Sequence, residues 1–178
     1  MALNRRNITI IDGYNVINAW PNLSDISKTS LETARVKLID ELAEYKSMSG
    51  EEIVIVFDAY NLDRPKETIT EKYGMKIVYT KRYQTADTYI EKQILTIGHK
   101  HNLKVVTDDA QIQVLASNKG ATRITSRELK AEIFNNRRKI NRSKKQDFNR
   151  NFDSFPLSLI HISEPTRRLM ASRMPSSA

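Results

Sequence analysis

The chain has 178 residues, 39% of them hydrophobic and 28% charged, a composition typical of one soluble globular domain with some additional chain. It contains no cysteine, which excludes disulfides, thiolate metal ligands and a cysteine nucleophile. It has neither an apolar run of membrane-spanning length nor a signal-peptide pattern, so we expect a cytoplasmic protein with no membrane partner.

The first predicted elements are one strand and one long helix. The β-branched run ITII, at residues 8–11, predicts a strand, and a polar loop follows it. Apolar residues then recur at helical spacing and predict a helix from about Leu31 to Met48. Thr29 and Glu32 have the spacing of a capping box at the start of this helix.

The middle of the chain predicts two further strands and a second helix. IVIVF, at residues 53–57, is a continuous apolar run, typical of a strand buried on both faces. Residues 60–74 are polar and predict a surface loop, and KIVYT, at residues 76–80, predicts the third strand. A helix is expected over residues 85–98, with isoleucines on one face.

The same alternation continues to residue 134. Strands are predicted at residues 104–107 and 122–124, and helices at residues 110–117 and from residue 126 onward. Strands that alternate with helices predict an α/β fold around a mostly parallel sheet of about five strands. We place this domain at residues 1–134.

The last part of the chain has a different composition. Residues 1–134 hold 19 basic and 18 acidic side chains, whereas residues 135–156 hold seven and two, so most of the net charge of +8 lies outside the domain. We expect residues 135–156 to form an exposed, mobile basic segment. Residues 157–178 resemble the translation of a sequencing adapter, and we interpret them as a non-native tail.

Acidic side chains follow several of the predicted strands. Asp12 follows the first strand, Asp58 the second, and Asp109 comes two residues after the run KVVT. Asp87 lies in the first turn of the helix after the third strand, and Glu91 is one turn further on. Because ligands of an open parallel sheet bind at the carboxyl ends of its strands, these acids are expected at one edge. Each of them alone is more typical of a turn residue or a helix N-cap than of a catalytic residue.

Several carboxylates held together repel one another unless a cation or a proton offsets their charge. With oxygen ligands and no cysteine, the expected cation is Mg²⁺ or Mn²⁺, and such a site suits phosphodiester hydrolysis. Asn15 can hold a carboxylate without adding charge, and Thr107 is a candidate for positioning a water molecule. The chain has no GxGxxG, no P-loop and no GxSxG motif, which argues against dinucleotide, P-loop and serine-hydrolase sites.

These acids lie in segments that resemble the NYN-domain ribonucleases, specifically the bacterial YacP-like branch of the wider PIN-like nuclease group. The matching segments follow the family order and together span about residues 8–130: IIDGYNVI, VIVFDAY, YTKRYQTADTYIEK, VVTDDAQIQ and GATRITSREL. The resemblance implies a PIN-like (Rossmann-like) three-layer sandwich and a divalent-metal-dependent endoribonuclease. It also implies RNA as partner, with ribosome-associated mRNA as a candidate substrate, and nothing indicates DNA specificity.

The resemblance assigns the site residue by residue. It implies a catalytic and metal-binding cluster made of Asp12, Asp58, Asp87 and Asp109, with Asn15 and Glu91 beside it. Asp108 departs from the family pattern, in which a serine usually precedes the acid. Side chains near the same edge could contact RNA, through charge or through stacking on bases: Lys81, Arg82, Arg123, Arg127, Tyr14, Tyr60 and Tyr83.

Two other functions remain open on the sequence. A non-catalytic RNA- or ribosome-binding module could keep this fold and bind RNA without metal. A phospho-acceptor signalling domain also uses acids at strand ends, although it would want a lysine at the end of the last strand, where the chain has TRIT.

Overall fold

The computed structural model describes residues 4–59 and 65–154, so Tyr60 and the predicted tail at residues 157–178 lie outside the described residues. Six strands form one sheet in this part of the chain, in the order β3-β4-β2-β1-β5-β6. In chain order they are β1 (Asn7–Asp12), β2 (Glu52–Phe57), β3 (Thr68–Lys72), β4 (Met75–Tyr79), β5 (Asn102–Val106) and β6 (Thr122–Ile124). All neighbouring pairs are parallel except β3 with β4, which confirms the predicted α/β fold with a mostly parallel sheet.

Helices cover both faces of this sheet. They are α1 (Gly13–Ala19), α2 (Pro21–Thr29), α3 (Leu31–Ser49), α4 (Ala86–Ile97), α5 (Ala110–Asn118) and α6 (Ser126–Asp153). Buried residues of α1, α2, α3 and the start of α6 pack on one face of the sheet, and those of α4 and α5 pack on the other. Because successive residues of a strand point to opposite faces, Ile11 joins the first core and Ile10 the second. Among the described residues, no helix has the length and apolar content needed to cross a membrane.

The chain divides into two compact units, residues 1–136 and 137–178. In the second unit, residues 137–153 are helical and mostly exposed. They carry all seven basic and both acidic side chains of the segment 135–156.

The prediction of a surface loop over residues 60–74 was wrong for its second half, which forms β3. This strand pairs antiparallel with β4 through a two-residue turn at Tyr73 and Gly74, whose φ angles are 52° and 69°. Positive φ at both positions is the conformation that joins two strands in a tight hairpin. The strand TITEK lies at the sheet edge and is largely exposed on both faces, so its sequence has no buried apolar pattern to reveal it.

The prediction of a polar loop before the long helix was also wrong, because α1 and α2 occupy it. Both helices are short, and Pro21 stands in the first turn of α2, where its missing N–H breaks no helical hydrogen bond. The buried Trp20 between them donates from Nε1 to the carbonyl of Ser126 at 2.8 Å. The N-cap of α3 is Ser30, which accepts from the N–H of Thr33, and not the predicted Thr29.

Candidate active site

The carboxyl ends of three adjacent strands bring acidic side chains together. Asp12 is the last residue of the central strand β1 and pairs in register with Val56 of β2. Asp58 directly follows β2, and Asp109 comes three residues after β5, the other neighbour of β1. The parallel register therefore places these acids at one edge of the sheet, as ligand-binding residues of open α/β sheets are placed.

Asp12 is buried, with 5% of its surface exposed, and is held by Asn15. One carboxylate oxygen of Asp12 accepts from the backbone N–H of Asn15 at 3.2 Å, and the other accepts from its side-chain Nδ2 at 2.6 Å. Asp12 is thus the N-cap of α1, and the helix starts directly at the end of the strand. The motif DGYN therefore caps a helix and orients a buried carboxylate with the same residues.

The structure has no space for a side chain at Gly13. A Cβ at this position would lie 2.3 Å from Cε1 of Phe57, closer than two carbon atoms can approach. The absence of a side chain lets α1 begin against the Phe57 ring, and this contact sets where Asp12 lies.

The helix α4 brings the carboxyl group of Asp87 close to Asp12. Thr85 caps this helix through the N–H of Thr88, and Asp87 lies in the first turn. The carboxyl groups of Asp12 and Asp87 lie close enough for each to affect the pKa of the other. Three more acids repel the charge of Asp87: Asp109, Glu91 and Asp58.

The proximity of these acids changes their ionisation. Burial raises the pKa of Asp12 to about 6, against the lowering effect of the two Asn15 hydrogen bonds, and the charge of Asp87 adds to the rise. Burial, followed by repulsion from Asp109, raises the pKa of Asp87 as well. The buried Oδ1 of Asp87 has no hydrogen-bond partner among residues 4–59 and 65–154. A buried carboxylate with an unpartnered oxygen favours a cation or a proton beside it.

Thr107 and Asp108 have roles that the sequence did not predict. Thr107 is fully buried, and its hydroxyl accepts from Nδ2 of Asn15 at 3.4 Å and from the N–H of Asp109 at 3.1 Å, so it ties the β1 and β5 ends together. Asp109 in turn caps α5 by accepting from two of its N–H groups. Asp108 points away to the start of α6, where Oδ1 accepts from the N–H of Ser126 at 2.9 Å.

The residues expected to contact RNA have varied surroundings. Lys81, Arg82 and Arg127 are exposed. Arg123 is exposed and donates to the side chain of Gln113 at 2.9 Å. Tyr14, by contrast, is half-buried.

The ring of Tyr14 packs edge-on against Phe57 with centroids 5.3 Å apart, and its hydroxyl accepts from Arg35 at 2.9 Å. These contacts occupy part of the surface that a stacked base would need.

The residues present fit a divalent cation of the magnesium type. Among residues 4–59 and 65–154, no three His, Asp or Glu side chains already form a complete ligand set. Mg²⁺ does not require one, since it is usually held by one or two carboxylates together with water and substrate phosphate oxygens. Asp12 and Asp87 supply such a pair, and the unpartnered Oδ1 of Asp87 is the atom that a cation would satisfy. Glu91 is exposed one turn after Asp87.

Comparison with known proteins identifies the family. Residues 9–164 match the model of the YacP-like NYN domain. The chain belongs to the YacP-like NYN family. YacP of Bacillus subtilis (strain 168) is 37% identical over 136 residues, which cover 76% of this chain and 79% of YacP.

Solved structures agree with this membership. The crystal structure of Rae1 (YacP) from Bacillus subtilis superposes with a TM-score of 0.64 at 32% identity, over 93% of this chain and 92% of that one. A mutant of the same protein gives 0.65 at 34% identity, over 80% and 84%. The family resemblance of the sequence is therefore confirmed, and membership in the YacP-like NYN family supports a nuclease that cleaves RNA.

Proposed function

We propose that this protein is a divalent-metal-dependent endoribonuclease, with Asp12, Asp58, Asp87 and Asp109 as its acidic centre. The observation that carries the proposal is the closeness of the Asp12 and Asp87 carboxyl groups, each of which affects the pKa of the other. Such closeness of two acids is costly for a metal-free protein and useful for one that binds a cation. The second supporting point is family membership, which favours RNA cleavage independently of this geometry.

Mg²⁺ or Mn²⁺, when bound, supplies Lewis acidity toward a phosphodiester and toward the attacking water. Asp12 and Asp87 would hold the cation, and Asp58 and Asp109 would add negative charge from the neighbouring strand ends. Asn15 fixes both oxygens of Asp12, so the carboxylate needs no reorientation when the cation arrives.

The starts of α1, α4 and α5 surround the same edge of the sheet. Lys81 and Arg82 precede α4 in the chain and are exposed, so they are our candidates for phosphates that flank the cleaved bond. Arg123 and Arg127, beside the last strand, are candidates for more distant phosphates.

The second candidate function is a non-catalytic RNA- or ribosome-binding module. The observation that favours it is the basic helical segment 137–153, with seven basic and two acidic side chains. Such a segment attracts RNA without chemistry. If the protein is an endoribonuclease, the same segment adds affinity for RNA, including mRNA on a ribosome.

The two functions are separated by one substitution. Purified protein is incubated with RNA and Mn²⁺, and wild type is compared with Asp12→Asn and with the matched control Asp25→Asn, an exposed acid paired with Lys28. We expect Asp12→Asn to lose cleavage by about 100-fold or more, as removal of one charge-stabilising group in an active site typically does. Asp25→Asn should cleave as wild type does. Equal cleavage by wild type and Asp12→Asn would show that Asp12 is not part of the active site. RNA binding by wild type without cleavage would favour the non-catalytic module.

A further inference from the structure

The aromatic ring of Tyr83 is unusually exposed to solvent. Its side chain is 93% exposed, although a tyrosine ring is largely apolar. Its backbone has a φ of 67°, a left-handed conformation that non-glycine residues adopt rarely. The guanidinium carbon of Arg82 lies 5.1 Å from the centroid of the Tyr83 ring, within the range of a cation–π contact.

The loop that carries Tyr83 connects two acid-bearing parts of the proposed site. At its start, the N–H of Thr80 donates to the carbonyl of Phe57, and the Thr80 hydroxyl accepts from the N–H of Ala59. These two hydrogen bonds anchor the loop on both sides of Asp58. At its end, α4 begins at Ala86 and carries Asp87 in its first turn. Tyr83 therefore lies on a short loop fixed at both ends beside catalytic carboxylates.

A tight turn determines the backbone conformation at Tyr83. The N–H of Gln84 donates to the carbonyl of Lys81 at 3.0 Å, which closes a four-residue turn with Tyr83 at its third position. Arg82 contacts the ring, and the remaining ring surface is open to solvent. A solvent-facing aromatic ring beside a cation matches the arrangement that proteins use to stack unpaired nucleotide bases.

We propose that Tyr83 is a substrate-positioning residue that stacks on an unpaired RNA base next to the cleaved phosphate, with Arg82 beside the ring. This inference rests on the proposed function and adds the residue that selects single-stranded RNA. Tyr14 does not serve this purpose, because its ring packs against Phe57 and its hydroxyl is bonded to Arg35.

The chain contains a matched control for this proposal. Tyr73 also has a positive φ, 52°, is 58% exposed, and has Nζ of Lys72 at 5.1 Å from its ring centroid. It lies in the turn between β3 and β4, at the amino end of β4. The two tyrosines thus share a positive φ and a neighbouring cation but lie near opposite ends of the same strand, so they differ in position relative to the acids.

The experiment measures binding of a fluorescein-labelled 12-nucleotide single-stranded RNA by anisotropy, in the Asp12→Asn background with Mn²⁺. Tyr83→Ala should raise Kd by about 5- to 150-fold, since loss of one base–aromatic stack costs roughly 1–3 kcal/mol. Tyr83→Phe and Tyr83→Trp should restore binding, because both keep an aromatic face. Tyr73→Ala should leave Kd within twofold, and a duplex of the same sequence should respond less than twofold to Tyr83→Ala.

Three results would overturn the proposal: an unchanged Kd for Tyr83→Ala, an equal loss for Tyr73→Ala, or no rescue by the aromatic replacements. Failure of the proposed function is visible separately. It would appear as RNA that wild type leaves uncleaved in Mn²⁺, or as a falling anisotropy signal because the Asp12→Asn host still degrades the probe.

Discussion

Replacing Asp12 with asparagine should stabilise the metal-free protein at neutral and alkaline pH. Burial raises the pKa of Asp12 from its ordinary 3.8 to about 6, so between these values the folded protein binds more protons than the unfolded chain. The contribution of Asp12 to wild-type stability therefore falls as pH rises from about 4 to 6, and it stays at the lower level above. At 1.36 kcal/mol per pH unit, the ionisation of Asp12 costs the folded state roughly 3 kcal/mol.

Asparagine carries no charge, so it removes this cost while keeping the N-cap of α1, for which asparagine and aspartate are equally suited. One new conflict reduces the gain, because Nδ2 of the introduced amide would meet the amide donor of Asn15. We therefore expect the free energy of unfolding of Asp12→Asn to exceed that of wild type by about 1–3 kcal/mol at pH 8. At pH 4 the advantage should disappear, since the wild-type carboxyl group is then protonated.

The assay is urea unfolding in EDTA, followed by circular dichroism, for both proteins at pH 4 and pH 8. The quantity of interest is the change with pH in the stability difference between the two proteins, because the titration of groups that do not interact with Asp12 cancels in it. A stability difference that is independent of pH would refute the reasoning, and so would a variant less stable than wild type at pH 8. Either result would mean that Asp12 ionises without opposition from burial and Asp87.

Two further predictions concern the neighbours of this acid. Gly13→Ala should lower the free energy of unfolding by about 1–3 kcal/mol in urea titrations, because the new Cβ would lie 2.3 Å from the Phe57 ring. Unchanged stability would mean that α1 can shift freely. Asp109→Asn should reduce RNA cleavage by tenfold or more. Asp108→Asn should change it less than threefold, because asparagine can also accept the hydrogen bond that Asp108 accepts from Ser126. Initial rates with Mn²⁺ and RNA decide the comparison, and equal losses would contradict the separate roles of the two acids.

The strands that position the site were predictable because of where they lie in the sheet. Runs such as IVIVF form central strands that helices cover on both faces, and strands buried in this way require apolar residues. The edge strand β3 has no such constraint, and α1 and α2 have only seven and nine residues, too few for a helical period to stand out. The position of Asp12 and Asp58 after parallel strands was enough to expect them at one edge.

The closeness of Asp12 and Asp87 was not predictable at this level. It depends on how α4 docks on the sheet, which is set by packing in the second core and by the anchored loop after β4. The adjacent pair Asp108 and Asp109 shows the same limit. Both follow one strand, but one side chain caps α5 and the other caps α6, and only the three-dimensional course of the chain distinguishes them.

The central claim, that the acids at the carboxyl edge of the sheet form a cation-binding catalytic centre, is tested most directly by crystals soaked in Mn²⁺. Anomalous scattering locates manganese without reference to the surrounding protein. The account predicts a peak contacted by the carboxylates of Asp12 and Asp87, lost in crystals of Asp12→Asn. Ordered carboxylates with no peak between them, under Mn²⁺ concentrations at which the protein cleaves RNA, would contradict it.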